Sequence, residues 1–292
     1  MRHLHIAEEC ICCGSSRLLS SPAVLMPFIA KRVFGHDPIE ITPDWGMRDL
    51  KPGTSYFPAK SLQCLECGVL FLDYRFDDQQ MATLYEDYRS SAYTAERDFY
   101  EPGYATGAAK DFDCRHPYIA AIEAWLAPNL PDPPLVLDWG GGSGINTPFL
   151  GKGKVHIHDI SGVTVVKGAQ RISKKNHSQY SYDLVCSQLV LEHVASPLKM
   201  LREIVPAMSQ KTLLYLEVPY EEIMRKNPKS NNLAQLKHFW HEHINFYTEI
   251  GLHRLCGQLG LQILDVHYQL FDNGVRKGEV IGVLARLEQV SN

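Results

Sequence analysis

The sequence predicts an α/β protein built on a doubly wound, mostly parallel sheet. Three observations predict it. From residue 135 onward, short apolar runs alternate with segments of helical apolar spacing. The first run, "VLDWGGGSGINTPFL", ends in Asp138 and passes at once into glycines 140, 141, 142 and 144. The next run, "KVHIHDI", ends in a second acid, Asp159, 21 residues after the first.

The elements follow in order. "LVLDWG" is a short apolar run of the kind a buried parallel strand makes, and "KVHIHDI" reads as its neighbour. "YDLVCSQLVLEHV" is a third strand, running into "SPLKMLREIVPAM", a helix opened by Ser196-Pro197. "KTLLYLEVP" is a fourth strand. "TEIGLHRLCGQLG" is a helix with Thr248 as N-cap and Gly260 as its stop. "LQILDVHYQL" and "EVIGVLARL" close the sheet.

The region before residue 135 reads differently. Residues 1–75 are short irregular segments punctuated by Pro22, Pro27, Pro38, Pro43, Pro52 and Pro58. In 76–130, "DDQQMATLYEDY" and "HPYIAAIEAWLA" have helical spacing, and "RSSAYTAERDFYEPGYATG" between them has loop composition. "PDPP" at 131–134 is the entry to the sheet. The expected organisation is thus an N-terminal module over 1–75, a helical and Tyr-rich segment over 76–130, and the sheet domain over 131–292. Tyr93, Tyr100 and Tyr104 are candidates to form a lid over the site.

Composition excludes several classes. Of 292 residues, 45% are hydrophobic and 21% charged, as in soluble globular proteins. The net charge of −4 and the lack of a long Lys/Arg run argue against nucleic acid as a partner. The longest apolar runs are too short to span a bilayer, and "MRHLHIAEEC" lacks a signal-peptide core. A cytoplasmic location is the expectation.

Four of the eight cysteines form two matched knuckles, Cys10-x-x-Cys13-Gly14 and Cys64-x-x-Cys67-Gly68. Two such pairs supply four soft thiolates for a tetrahedral zinc ion, and a full thiolate set leaves no open position, so the zinc is expected to be structural. A poorly packed segment gains folding stability from such an ion. Cys12 lies off the pattern.

A glycine turn after a strand lets a ligand approach the backbone, and an acid at the next strand end can accept both ribose hydroxyls. Dinucleotides and S-adenosyl-L-methionine both fit that frame. The order Asp138-x-Gly140-x-Gly142-x-Gly144 resembles the first motif of class I S-adenosylmethionine methyltransferases, which share a Rossmann-like doubly wound sheet. "YDLVCSQLVLEHVASPLKMLREI" followed by "LLYLEVP" resembles the later motifs of that family. The resemblance implies that Asp138, Gly140, Gly142 and Gly144 surround the methionine part and that Asp159 holds the ribose. It places Gln188 near the end of that family's fourth strand, and Gly141 where that family often has cysteine. Only 24 residues separate Asp159 from Asp183, short for the usual helix and third strand of the adenine site.

With its cysteine module, the chain is similar to sugar C-methyltransferases and polysaccharide-cluster methyltransferases. The shared features are Cys10–Cys67, "YRSSAYTAERDFYEPGY", Leu191–Val194 and His241–His243. By that resemblance His243 is the base and Glu242 an orienting or substrate-binding carboxylate, and His193 stands beside the transferred methyl. Trp240 occupies the family's tyrosine position. The long C-terminal domain of those enzymes is expected to be absent, since the chain ends at Asn292. The stretch "LKHFWHEHINFYT" itself keeps three readings open. His241 and His243, two apart on an extended segment, share a face and could share a metal; they could wall a pocket; or they could act on a substrate.

The expected function is S-adenosylmethionine-dependent methyl transfer to a carbon or oxygen of a small polar acceptor, such as a sugar or sugar conjugate. The alternatives are an RNA base methyltransferase and a catalytically silent protein-binding module.

Overall fold

The computed structural model describes residues 5–46, 48–107, 114–272 and 277–288. In chain order its strands are β1 (Leu18–Leu25), β2 (Ile39–Ile41), β3 (Gly53–Ser55), β4 (Pro58–Cys64), β5 (Leu70–Leu72), β6 (Leu135–Trp139), β7 (Lys154–His158), β8 (Ala169–Arg171), β9 (Leu184–Gln188), β10 (Leu213–Pro219), β11 (Phe239–Trp240), β12 (Asn245–Phe246), β13 (Leu261–Asp272) and β14 (Lys277–Leu287).

Seven of them form the central sheet, in the order β13-β14-β10-β9-β6-β7-β8. β6 to β10 run parallel, and β14 is antiparallel to both β10 and β13. The apolar runs of β6, β9 and β10 are buried almost throughout, as a sheet covered on both faces requires. The helix Ile119–Leu126 packs on one face, against Val136, Val155, Leu184 and Tyr215. The helices Pro197–Ile204 and Glu249–Gly257 pack on the other, in one core with Leu137, Val185, Leu214 and Leu216. This is the predicted α/β doubly wound sheet with a small N-terminal cysteine-bearing module.

Three local expectations are corrected. A helix is expected to follow the glycine turn in such a strand–turn–helix unit, but none does: among the described residues, 140–153 form turns and one bridge, Leu150 to Gly153. Gly140, Gly142, Gly144 and Gly151 all have positive φ there, and Phe149 joins them at φ 62°, so the chain doubles back instead of coiling. The short 160–182 segment does hold a third parallel strand, β8, reached without a helix. And the Tyr-rich stretch of loop composition contains the helix Ser91–Tyr100. Ser90 caps it, its Oγ accepting from the Tyr93 amide at 3.0 Å, and Tyr93 and Arg97 form its buried side. Thr248 is an N-cap as expected, its side chain accepting from the Gly251 amide.

The N-terminal sheet has the order β11-β1-β4-β5-β12. Its two outer strands come from the histidine stretch. Phe239 and Trp240 pair parallel with Val24 and Leu25 at one edge, while Asn245 and Phe246 pair antiparallel with Phe71 and Leu70 at the other. The stretch is therefore not one extended strand: residues 241–244 cross between opposite edges of the sheet. Trp240 is wholly buried beneath it, donating its indole N–H to Ser61 Oγ at 2.8 Å. Its bulk and its N–H serve the core.

Candidate active site

A cavity of about 1,600 Å³ lies at the carboxyl ends of β6, β7, β9 and β10. Asp138, Gly140, Gly141, Gly142, Asp159, Gln188, His193, His241, Glu242 and His243 all line it. Gly144 supports this wall from behind, where a Cβ would meet the Ile157 side chain at 3.0 Å.

One wall is the glycine turn. A Cβ on Gly140 would stand 2.5 Å from Val190 Cγ2, and one on Gly141 would stand 2.4 Å from Asp138 Oδ2. Neither approach is open to a larger residue. Asp138 is buried, with Oδ2 accepting from Thr147 Oγ1 at 2.6 Å and Oδ1 without a partner. Burial, together with the charges of Asp159 and Glu217, pushes its carboxyl up to about 7. Both side-chain amide atoms of Gln188 are likewise buried without a partner. Asp159 Oδ2 accepts from the Gly142 amide at 2.8 Å and Oδ1 from the Ser161 amide at 2.7 Å. The acid thus pins the turn; Oδ1 also accepts from the Ser161 hydroxyl, and Oδ2 retains a second lone pair for a ligand hydroxyl. An orphaned carboxylate oxygen, an orphaned amide and a backbone bare of Cβ atoms fit the amino-acid and ribose parts of S-adenosylmethionine.

The second wall is built from distant segments. The three-residue turn Leu191–His193 after β9 supplies Glu192 and His193; the loop between β11 and β12 supplies His241, Glu242 and His243. His243 and His193 stack edge to face with centroids 4.8 Å apart, and His241 lies 5.1 Å from His243. His243 Nδ1 donates to Glu221 Oε1 at 2.7 Å. His193 Nδ1 donates to the Glu242 carbonyl at 3.1 Å. Carbonyl and carboxylate oxygens only accept here, so in both rings the neutral form keeps its lone pair on Nε2.

Glu242 does not orient His243. Its carboxylate is taken by Arg97, with Nη1 donating to Oε2 at 2.6 Å and Nη2 to Oε1 at 2.9 Å. The carboxylate on His243 is Glu221, two residues beyond β10. Arg97 sits inside the stretch read as loop, where the Ser90, Tyr93, Arg97 spacing was the available sign of a helix. Of the three tyrosines considered for a lid, Tyr104 reaches the cavity. Tyr93 packs against Phe28 and Tyr88, and Tyr100 bonds Asp37 at the surface. Tyr85 and Tyr88 line the cavity in their place.

The charges of this wall are set by burial and by pairing. Burial raises Glu192 to about 8; burial and neighbouring His243 lower His193 to about 4 and His241 to about 3. Burial would raise Glu242 as well, but the Arg97 guanidinium holds it far below the usual carboxylate range. Burial pulls His243 down, yet Glu221, Glu192 and Glu242 outweigh it and leave the ring above its ordinary value. The arrangement gives one imidazole of raised basicity beside two neutral ones.

The four knuckle cysteines converge beneath the sheet. Their sulfurs all lie within 4.8 Å of one another, with Cys10 to Cys67 at 3.4 Å and Cys13 to Cys64 at 3.5 Å. The Gly14 and Gly68 amides close matching turns, each donating to the first cysteine's carbonyl at 2.9 Å. Cys12 is buried among them in the core.

Among solved structures, a Burkholderia thailandensis 1,6-didemethyltoxoflavin-N1-methyltransferase with bound S-adenosylhomocysteine is 16% identical, with 77% of this chain and 97% of that chain covered at a TM-score of 0.48. A glycopeptide N-methyltransferase, MtfA, complexed with sinefungin is 13% identical over 60% of this chain and 95% of its own, TM-score 0.43. The magnesium protoporphyrin IX methyltransferase of Synechocystis PCC 6803 is 16% identical over 65% and 86%, TM-score 0.39. No curated protein matches the sequence. A family model described as a methyltransferase domain matches residues 114–266. That match takes in more than half of the chain, which therefore belongs to the methyltransferase-domain family and is an S-adenosylmethionine-dependent methyltransferase.

Proposed function

We propose that the protein methylates a carbon or oxygen of a small polar acceptor, a sugar or sugar conjugate being the expected class, with His243 as the base. The observation that carries this reading is the 2.7 Å bond between His243 Nδ1 and Glu221, inside the cavity that the glycine turn also lines. S-adenosylmethionine supplies an activated methyl group. Asp138, Gly140, Gly141, Gly142, Gly144 and Gln188 would hold its amino-acid part and Asp159 its ribose. His243 Nε2 then takes the proton that the acceptor loses, and Glu221 holds the ring and stabilises the imidazolium. His193 and His241 stay neutral in this wall, and Glu242, locked to Arg97, fixes the backbone that carries His241 and the carbonyl that holds His193.

We further propose that the cysteine cluster holds one structural zinc. Zn–S bonds of about 2.3 Å place tetrahedral sulfurs about 3.8 Å apart, close to the separations found here. The zinc would tie residues 10–13 and 64–67 to the sheet core; it has no open position for chemistry.

The test is His243→Ala. Turnover is expected to fall at least about 100-fold, in the range that general bases contribute. Calorimetric affinity for S-adenosylhomocysteine is expected to stay as in the wild type. Retained turnover would remove the base assignment, and no donor binding by the wild type would remove the whole reading. Metal analysis is expected to give the zinc, lost in Cys64→Ser.

A further inference from the structure

The cavity wall carries one cluster that acid–base chemistry alone does not use up. Glu192 is buried, only 1% exposed, and its Oε2 has no partner. Its carboxylate and one ring nitrogen each of His193 and His243 lie within 4.8 Å of one another. Glu192 Oε1 stands 3.8 Å from His193 Nε2.

The groups behind these side chains matter as much as the cluster. His193 Nδ1 is committed to the Glu242 carbonyl, and His243 Nδ1 to Glu221. Each ring is thereby fixed with its Nε2 lone pair available. Metal-bound histidines are held in this way, the far nitrogen donating to a carbonyl or carboxylate that sets tautomer and orientation. Arg97 in turn clamps Glu242, so the carbonyl that holds His193 belongs to an anchored residue. Metal–ligand bonds of about 2.1 Å bring ligand atoms to about 3.0–3.5 Å, which small side-chain rotations reach from the present spacing.

We propose that Glu192, His193 and His243 form a second metal site, for a transition-metal ion such as Zn²⁺, and that filling it switches the enzyme off. Two imidazoles and one carboxylate suit zinc and its neighbours in the first transition row, whereas Mg²⁺ and Ca²⁺ prefer all-oxygen sets. The ion takes the Nε2 lone pair of His243. That ring then cannot accept the acceptor's proton, and the ion stands where the acceptor must sit. No bond to the cofactor is made or broken. The inhibitory half rests on His243 being the base; the binding half does not.

Metal titration of the intact protein separates the two. The wild type is expected to bind two Zn²⁺ per chain, one of them at the cysteines. Glu192→Gln and His193→Asn are expected to bind one, with the fold unchanged by circular dichroism. Glu221→Gln should weaken the second ion about 10- to 100-fold, as removal of an outer-shell partner does. Co²⁺ provides a spectroscopic reading: thiolate charge-transfer bands from the first ion, and only weak d–d bands from the second. With the cysteine site loaded, further Zn²⁺ should inhibit turnover competitively with the acceptor and not with S-adenosylmethionine. A wild type that stops at one ion, or a second ion that survives both Glu192→Gln and His193→Asn, overturns the site. A second ion that leaves turnover unchanged or raises it overturns the switch. Two bound ions in a protein without methyltransferase activity would uphold the site while removing the base assignment.

Discussion

The two walls of the cavity are held by different forces. The glycine wall is backbone: β6, a turn without Cβ atoms, and one acid that accepts from the amides of Gly142 and Ser161. The histidine wall is side-chain charge gathered from four segments, through Arg97, Glu192 with His193, Glu221, and the 241–243 loop. The first wall is defined by what cannot be added to it. The second is defined by which charges face each other in a dry place. Damage to the first should appear as lost affinity, and damage to the second as lost stability or a displaced pH profile.

Arg97→Ala should break the comparison most visibly. Both partners of the Arg97–Glu242 pair are largely buried, with side-chain exposures of 4% and 18%. Removing one leaves an uncompensated buried charge, which costs about 3–5 kcal/mol. Urea unfolding should show that loss; a loss within experimental error would mean the histidine wall does not depend on the pair. Gly141→Ala comes next. Its Cβ would collide with Asp138, and the affinity for S-adenosylhomocysteine should fall about 100-fold, near 2.7 kcal/mol, with a loss of stability of about 1–3 kcal/mol, smaller than that of Arg97→Ala. Unaltered binding would show that the turn is not the donor site.

Glu221→Gln should act through His243. The neutral ring is the active form, so turnover rises as pH rises through its pKa. Burial lowers that pKa, but Glu221 and the other carboxylates hold it above the ordinary value. Without the Glu221 charge the rise should move to lower pH, and maximal turnover should drop on the order of tenfold, about 1.4 kcal/mol. A pH–rate profile that stays in place would disconnect Glu221 from the base. Thr248→Ala, outside both walls, should be the mildest. It removes an N-cap and costs about 1 kcal/mol of stability, leaving donor affinity and pH profile alone.

This division also explains what the sequence makes legible. Asp138, the glycines and Asp159 belong to one strand–turn–strand unit, and their spacing alone places them together. The parallel, doubly wound core of the sheet follows from the same alternating runs; the strand order and the antiparallel β14 do not, because apolar alternation carries no strand direction. The missing helix after the turn was not legible, because a glycine turn opens helices and loops alike; the run of positive φ angles decides it. The partners of the histidine wall were hidden by distance. Arg97 and Glu242 are 145 positions apart, and adjacency made Glu242 look like the partner of His243 when Glu221, 22 positions upstream, fills that place. Trp240 looked like a departure in the pocket, but its ring belongs to the N-terminal core.

The two-residue strands β11 and β12 carry a consequence for how the chain is made. The first 75 residues leave the ribosome with β1 and β5 bare along their outer edges, since the residues that cover them follow some 170 to 215 positions later. Bare edges invite pairing with other chains. Contacts of such long sequence separation also form late and slowly. The sheet of the cysteine module is complete only when residues 239–246 lie on both of its edges. The module waits for the histidine loop, and the moment that completes its sheet is the same moment that sets His241 and His243 in place. A chain with an unfinished module has no finished active site.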